Sequence, residues 1–341
     1  MKTLILGGTA WLGRTIAKDA HERGHDVTCL ARGESGAVAD GVTLVAADRL
    51  ATGAYENVRN TDWDFVVEVS WQPGMVRSAL AALADRAGHW AYVSSCSAYA
   101  AQNVPGATES AATLPPLESE TADRAEYGAA KVACERLTQE IFGSNALIAR
   151  AGLIGGYGDP SDRFGYWPAR FSAAARGTGG WRLNEPVLVP DDPAMATQTI
   201  DVRDLAEWLV RCGESRTGGV FNATGQLLPF ATIEDACREV TGAAAEAIRI
   251  PPQWLRAQGV EEFAGERSLP LWIIDPDAAG HNSRDTAAAV AAGLTWRPIQ
   301  ELVRSALAWE TERGLRRQRR AGLTPEQERQ LIGAWQRAPK P

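Results

Sequence analysis

The chain has 341 residues, 45% hydrophobic and 23% charged, which excludes wholesale disorder and leaves ample apolar surface for a core, organised as about two domains. Its 42 acidic and 35 basic side chains give a net charge of −7, a poor match to phosphate backbones or anionic lipid, so neither a nucleic acid nor a membrane is an expected partner. The five cysteines (Cys29, Cys96, Cys134, Cys212 and Cys237) form no CxxC, and no apolar run reaches the roughly 18 residues of a membrane span, which argues against a zinc ribbon, a disulfide scaffold or a transmembrane segment and favours a reducing, cytoplasmic setting.

In chain order, residues 3–6 read as a buried strand closed by Gly7 and Gly8, too short an apolar stretch for a signal-peptide core. Residues 11–23 carry Leu12, Ile16 and Ala20 at helical spacing and stop at Gly24. Strands are expected over 26–31, 42–46, 64–69, 90–94 and 146–149, and helices over 75–87 and 125–142. Strands alternating with helices of this length specify an α/β fold, a doubly wound parallel sheet with helices on both faces. Residues 1–150 are thus expected to form a dinucleotide-binding domain. Residues 151–341, rich in Gly, Pro and Trp, are expected to form a smaller, irregular substrate-binding portion. One piece, 199–223, is expected to return to the sheet as strand, helix and strand, and the last residues of the charged tail, 338–341, to be mobile.

The first strand runs through Gly7-Gly8-Thr9-Ala10-Trp11-Leu12-Gly13 into the first helix. That arrangement cradles a pyrophosphate: Gly7 allows a tight turn, Gly13 allows the helix to approach the strands, and the helix N-terminus offers N–H groups and partial positive charge. Ala10 stands where the dinucleotide fingerprint has its middle glycine. An NAD site needs an acid at the tip of the second strand for the ribose 2′-OH. Here the chain reads Ala31-Arg32-Gly33, and a guanidinium matches a 2′-phosphate, so NADP(H) is preferred over NAD(H), with Arg14 as a possible second contact. Asp48, past the third strand, is placed to accept from the adenine amino group.

Only four of the 35 basic residues are lysines, and one of them, Lys131, lies four positions after Tyr127. That spacing puts phenol and ammonium on one helix face. A nearby cation favours the phenolate, which makes Tyr127 a workable general acid/base. The fifth strand ends in Ser94-Ser95-Cys96-Ser97, hydroxyls placed to polarise a substrate oxygen beside Tyr127. Cys96 reads as a packing residue, and the scattered histidines form no metal cluster.

GGTAWLG at 7–13, ARG at 31–33, AAD at 46–48, YVSSCSAY at 92–99, YGAAK at 127–131, RAGLIGGYGD at 150–159, IDVRDLA at 200–206 and AAGLTWRPIQELV at 291–303 together resemble the extended short-chain dehydrogenase/reductase superfamily, in its NAD(P)-dependent epimerase/dehydratase branch and there the reductase-type members. The resemblance implies a Rossmann-type fold with Tyr127 as acid/base, Lys131 holding the nicotinamide ribose, and Ser95 as the catalytic hydroxyl, with Ser94 and Ser97 as alternatives. It implies that the backbone of Ala151 to Ile154 lies beside the nicotinamide carboxamide, with Ala151 where the family has proline. After the fourth strand the family keeps small residues that let the cofactor pass. Ser70 stands there, and the bulkier Trp71 is placed to shape the substrate side. In this superfamily helices like 75–87 and 125–142 often pair between subunits, so a monomer and a homodimer both remain open.

The leading expectation is an NADPH-dependent oxidoreductase acting on a small carbonyl or the corresponding alcohol, with Ser97, Trp71, Arg163 and Trp167 as substrate contacts and Asp162, Tyr166 and Arg203 nearby in the same role. A sugar-nucleotide epimerase or dehydratase is the alternative. Such enzymes tend to keep NAD, which Arg32 disfavours, and a dehydratase wants an Asp-Glu pair where Cys96-Ser97 stand. A non-catalytic dinucleotide sensor or an RNA-binding member of the fold is disfavoured by the Tyr–Lys pair and the negative charge.

Overall fold

The computed structural model describes residues 1–339. They cluster into two units, one of residues 1–153, 202–224 and 284–296, the other of residues 154–201, 225–283 and 297 onward.

The first unit is built on a seven-stranded sheet of β1 (Lys2–Leu6), β2 (Asp26–Ala31), β3 (Thr43–Ala46), β4 (Phe65–Glu68), β5 (Trp90–Ser95), β6 (Leu147–Ala151) and the strand Gly219–Ala223. The order across the sheet is Gly219–Ala223, β6, β5, β4, β1, β2, β3, with every pair parallel. The chain lays β2 and β3 to one side of β1 and β4, β5 and β6 to the other, so the direction reverses between β1 and β4. A crevice opens beyond the strand C-termini at such a reversal.

Alternation along each strand sends successive side chains to opposite faces. On one face Leu4, Leu6, Val66 and Tyr92 pack with Val76, Leu80 and Leu83 of α2 (Pro73–Leu83) and with Cys134 of α3 (Tyr127–Phe142). On the other, Ile5, Cys29, Phe65 and Val67 are fully buried. There α1 (Trp11–Glu22) packs on the helix Val202–Ser215, whose Gly213 lies against the Phe65 ring. Burial on both faces is why these strands read as near-continuous apolar runs. β3 is the edge and is largely exposed.

Several boundaries differ from the sequence reading. α2 starts at Pro73, whose fixed φ suits the first helical turn, and gives way to a 3₁₀ turn at Ala84–Arg86 rather than running on to 87. The strand Thr199–Asp201 pairs with Leu153–Gly155 outside the main sheet; in the 199–223 stretch only Gly219–Ala223 joins the sheet, on the β6 edge. In the tail, Thr324 and Gln327 form a capping box that opens the helix Pro325–Arg337, while positions 340 and 341 lie outside the described residues.

In the second unit the helix Arg163–Arg176 packs against Phe230–Thr241 and Ile299–Arg313. Its strands are short pairs such as Val187–Pro190 with Ala247–Ile250. Glu328 on the last helix is 1% exposed and accepts from Arg170 Nε, Trp181 Nε1 (2.7 Å) and Leu188 N (2.7 Å). Among the described residues, no helix is long and apolar enough to cross a membrane.

The junction of β1 and α1 has no room for a larger residue. A Cβ on Gly13 would lie 2.4 Å from the Gly7 carbonyl oxygen and 3.1 Å from the Gly8 Cα, both backbone atoms. Gly13→Ala is therefore expected to destabilise the fold by about 1–3 kcal/mol, read by chemical denaturation. An unchanged midpoint would mean that α1 is free to move away from β1.

Candidate active site

The crevice between β1 and β4 holds an open cleft. Gly7, Thr9, Ala10, Arg32, Asp48 and Ser70 all line it. Gly7 has φ +105°, a conformation glycine adopts without strain. Ala10 is the N-cap of α1 with ordinary extended backbone (φ −84°, ψ 162°) and no side-chain hydrogen bond into the helix, so its methyl is tolerated. Trp11, Leu12 and Gly13 form the first turn behind it. A glycine cradle and a helix N-terminus without a side-chain cap fit the pyrophosphate of a dinucleotide.

At the rim, Arg32 follows the tip of β2 and pairs with Glu34 at 3.2 Å, both side chains more than half exposed. Asp48 is exposed and accepts from Leu50 N through Oδ1 (3.0 Å), which leaves Oδ2 toward solvent. The floor carries a pair the sequence reading missed. Arg49 donates from Nη1 to Glu68 Oε1 (2.9 Å), from Nη2 to Glu68 Oε2, and from Nη2 also to the Met75 carbonyl (2.8 Å). Burial works against the guanidinium's charge, yet the Glu68 carboxylate and the Tyr55 hydroxyl more than offset this and raise its pKa. Glu68 in turn accepts from Ser70 N (2.8 Å) and so shapes the turn that follows β4. The readable signal was an acid inside the otherwise apolar strand Phe65–Glu68: a fully buried carboxylate needs a partner.

Next to this cleft the Tyr–Lys pair takes its place. Lys131 is 3% exposed, and its Nζ donates to the carbonyls of Val93 (2.6 Å) and Ser70 (3.3 Å), at the C-terminal ends of β5 and β4. Nζ lies 5.8 Å from the Tyr127 ring centroid and 4.9 Å from that of Tyr92. Tyr92 is wholly buried, and that burial, first among the causes, pushes its hydroxyl well up and out of use as an acid. Tyr127 is half-buried at the first turn of α3, where the Trp71 ring meets it edge-on at 5.4 Å. That turn sits hard against the end of β5: a Cβ on Gly128 would lie 2.3 Å from the Ser97 carbonyl oxygen.

The serines divide by role. Ser94 is buried and donates to Glu135 Oε1, which also takes Arg150 Nε at 3.0 Å, so its hydroxyl is spent on the core. Ser95 Oγ accepts from Ser97 N (3.1 Å), which leaves its own O–H to donate. Ser97 is half-buried beside it. Burial pushes the Cys96 thiol up to about 12, with its Sγ directed to the Arg150 carbonyl at 3.3 Å, which fits packing and not nucleophilic attack. Ala151 ends β6 in register with Ser95, and Ile154 lies in the short strand Leu153–Gly155.

Four of the remaining candidates, Asp162, Arg163, Tyr166 and Trp167, belong to the second unit. Trp167 is fully buried, donates Nε1 to the Pro270 carbonyl (2.8 Å) and packs on Phe230 at 4.6 Å. It is a core residue of the second unit, and its expected role as a substrate wall gives way to packing. Tyr166 is likewise buried. The Arg163 guanidinium stacks over the Phe263 ring at 4.8 Å. At Asp162, burial raises the carboxyl, but hydrogen bonds from Arg317 and the Arg320 amide, with the charges of Arg317 and Arg313, outweigh it and hold it below the usual range. Asp162 thus anchors that arginine-rich segment. Arg203 starts the helix Val202–Ser215 in the first unit.

Comparison with known proteins agrees with this fold. A search of curated proteins by sequence finds no match. Solved structures share the fold: the UDP-glucuronic acid 4-epimerase of Bacillus cereus in complex with NAD (TM-score 0.63, 13% identity, 93% of this chain and 100% of that one) and the UDP-Glc/GlcNAc 4-epimerase of Campylobacter jejuni (TM-score 0.66, 13% identity, 91% and 99%). WbmH of Bordetella bronchiseptica in complex with NAD+ is also similar (TM-score 0.61, 17% identity, 92% and 99%). The model of the NAD dependent epimerase/dehydratase family matches residues 3–224, which include the glycine turn, Ser95, Tyr127 and Lys131. The chain belongs to that family of NAD-dependent enzymes.

Proposed function

We propose that the chain is an NADP(H)-dependent oxidoreductase that reduces a small carbonyl substrate or oxidises the corresponding alcohol. The observation that carries the cofactor preference is Arg32 on the cleft rim directly after Ala31, with no acid at the tip of β2 to receive a ribose 2′-OH. A 2′-phosphate would compete with Glu34 for the guanidinium and satisfy it bidentately.

When bound, the nicotinamide supplies or accepts the hydride. Tyr127 gives its hydroxyl proton to the substrate oxygen in reduction and takes it back in oxidation. Ser95, with its O–H uncommitted, donates to the same oxygen and stabilises the charge that develops there. Lys131 has two N–H groups fixed by backbone carbonyls and a third to offer a ribose hydroxyl. Trp71, against the phenol ring, and Ser97 bound the space the substrate oxygen would enter. All five cysteines are buried and free, which supports a reducing compartment, the cytoplasm.

A second reading is favoured by the UDP-sugar 4-epimerases among the structures of this fold. In that case the redox step is internal and the cofactor is regenerated in each turnover. Assays separate the two: one NADPH consumed per product across a carbonyl panel supports the oxidoreductase, and interconversion of UDP-sugar epimers with the oxidised cofactor and no net change in its redox state supports the epimerase.

Two substitutions test the roles. Arg32→Ser is expected to weaken NADPH binding about 10- to 100-fold, the worth of a charge-assisted pair, while NADH binding stays nearly constant. Fluorescence titration reads both, and a wild-type protein that binds NADH at least as tightly as NADPH contradicts the preference. Tyr127→Phe is expected to cut turnover by about 10²- to 10⁴-fold with NADPH affinity retained. A variant as active as wild type would remove Tyr127 from the chemistry.

A further inference from the structure

Tyr127 follows a long segment, 100–126, that contains no helix and only one bridge, Tyr99 to Thr113. Within it, Leu117 N donates to the Ala129 carbonyl of α3 (3.0 Å). A second set of contacts, just before α3, reaches the turn between β4 and α2.

Gln72 is the extended residue just before α2. Its side-chain amide meets both backbone groups of Ala122, fifty positions away: Nε2 donates to the Ala122 carbonyl (3.0 Å), and Oε1 accepts from the Ala122 N–H (2.8 Å). The pairing copies a rung of a β-ladder with a side chain. One turn into α2, Gly74 N donates to the Glu120 carbonyl (2.8 Å), and Arg77 Nε donates to Glu120 Oε1 (3.0 Å). Beyond Ala122, Asp123 Oδ1 accepts from Ala125 N (2.8 Å) and Glu126 N (3.2 Å), and the next residue is Tyr127.

The same turn reaches the other members of the site. Gln72 N donates to Ser70 Oγ (3.1 Å), the Ser70 carbonyl holds Lys131, and Trp71 meets the Tyr127 ring. Three consecutive residues thus contact the ammonium, the phenol and the segment that delivers the phenol.

We propose that Gln72 is a positioning residue, whose reciprocal amide bridge to Ala122 sets the entry of α3 and with it the direction of the Tyr127 hydroxyl. The inference rests on reading Tyr127 as the acid/base. Among the natural side chains at this reach, glutamine alone offers one donor and one acceptor at every pH. A glutamate in its place can mimic the bridge only when protonated, since a carboxylate accepts from Ala122 N but repels the Ala122 carbonyl. The charged groups along the segment are Glu109, Glu118, Glu120 (already paired with Arg77), Asp123, Arg124 and Glu126. They are present in the wild type too, which serves as the control for their own titration.

Fluorine NMR of protein labelled with meta-fluorotyrosine provides a readout that needs no substrate. The Tyr127 signal is identified among the six tyrosines by its loss in Tyr127→Phe. In Gln72→Leu that signal is expected to shift or broaden while the other five stay, since it senses the edge of Trp71. In Gln72→Glu it is expected to be displaced near pH 7.5 and to return to the wild-type position as the pH falls toward about 5. With NADPH and a reactive diketone as probe substrate, kcat of Gln72→Leu is expected to drop about tenfold with KM within about twofold, because the proton donor and not the binding surface has moved. A Tyr127 signal unmoved in Gln72→Leu, a change spread evenly over all six signals, or no return of the Gln72→Glu signal on acidification overturns the inference. An absence of turnover in wild type and variants alike counts against the oxidoreductase reading and leaves the NMR result to decide on Gln72.

Discussion

A buried ammonium is expensive unless its donors are satisfied, and Lys131 meets that demand with main-chain oxygen atoms at the ends of two neighbouring strands. This one requirement fixes much else. It ties α3 to the C-terminal edge of the sheet at a set register. Because Tyr127 precedes Lys131 by one helical turn, it also sets the phenol beside Trp71. The tightness of Gly128 against Ser97 shows how little freedom remains there. A side chain other than hydrogen at 128 would lift the helix and take both functional groups with it.

Around that contact, charge is placed in closed pairs behind the strand ends. Arg49 with Glu68 lies at the cleft that Gly7 and Arg32 line, and Arg150 with Glu135 and Ser94 lies behind β5 and β6. Such buried pairs contribute little net stability compared with apolar packing, but they are costly to break and admit few alternative arrangements. They hold the turns after β4 and β5 in one geometry. Arg32 with Glu34, by contrast, is an exposed pair at the rim, and an exposed pair of this kind is broken at small cost.

The first unit was legible in the sequence because a parallel sheet buried on both faces writes itself as short apolar runs, and because Gly7 to Gly13 and the Tyr127–Lys131 spacing are local patterns. β2 (Asp26–Ala31) was read to the residue. The start of α2 was placed two residues late because the proline at 73 was not weighed as a first-turn residue. The second unit was legible only as irregular. Its strands are two to four residues long and depend on partners far away, such as Val187–Pro190 with Ala247–Ile250, and no local period encodes that. Trp167 illustrates the limit at the level of one side chain: a tryptophan in a glycine-rich region looks the same in sequence whether it faces a ligand or fills a core. Arg49 and Gln72 escaped for the opposite reason. Both look like ordinary polar loop residues, and their partners Glu68 and Ala122 are distant in the chain.

The most direct test of the account is a crystal structure of the complex with NADPH. The expected result is a nicotinamide ribose hydroxyl within about 3 Å of Lys131 Nζ, the Tyr127 hydroxyl facing the nicotinamide ring, and the 2′-phosphate on Arg32. A dinucleotide whose nicotinamide end lies away from Lys131, or a 2′-phosphate pointing into solvent with Arg32 still on Glu34, would contradict it.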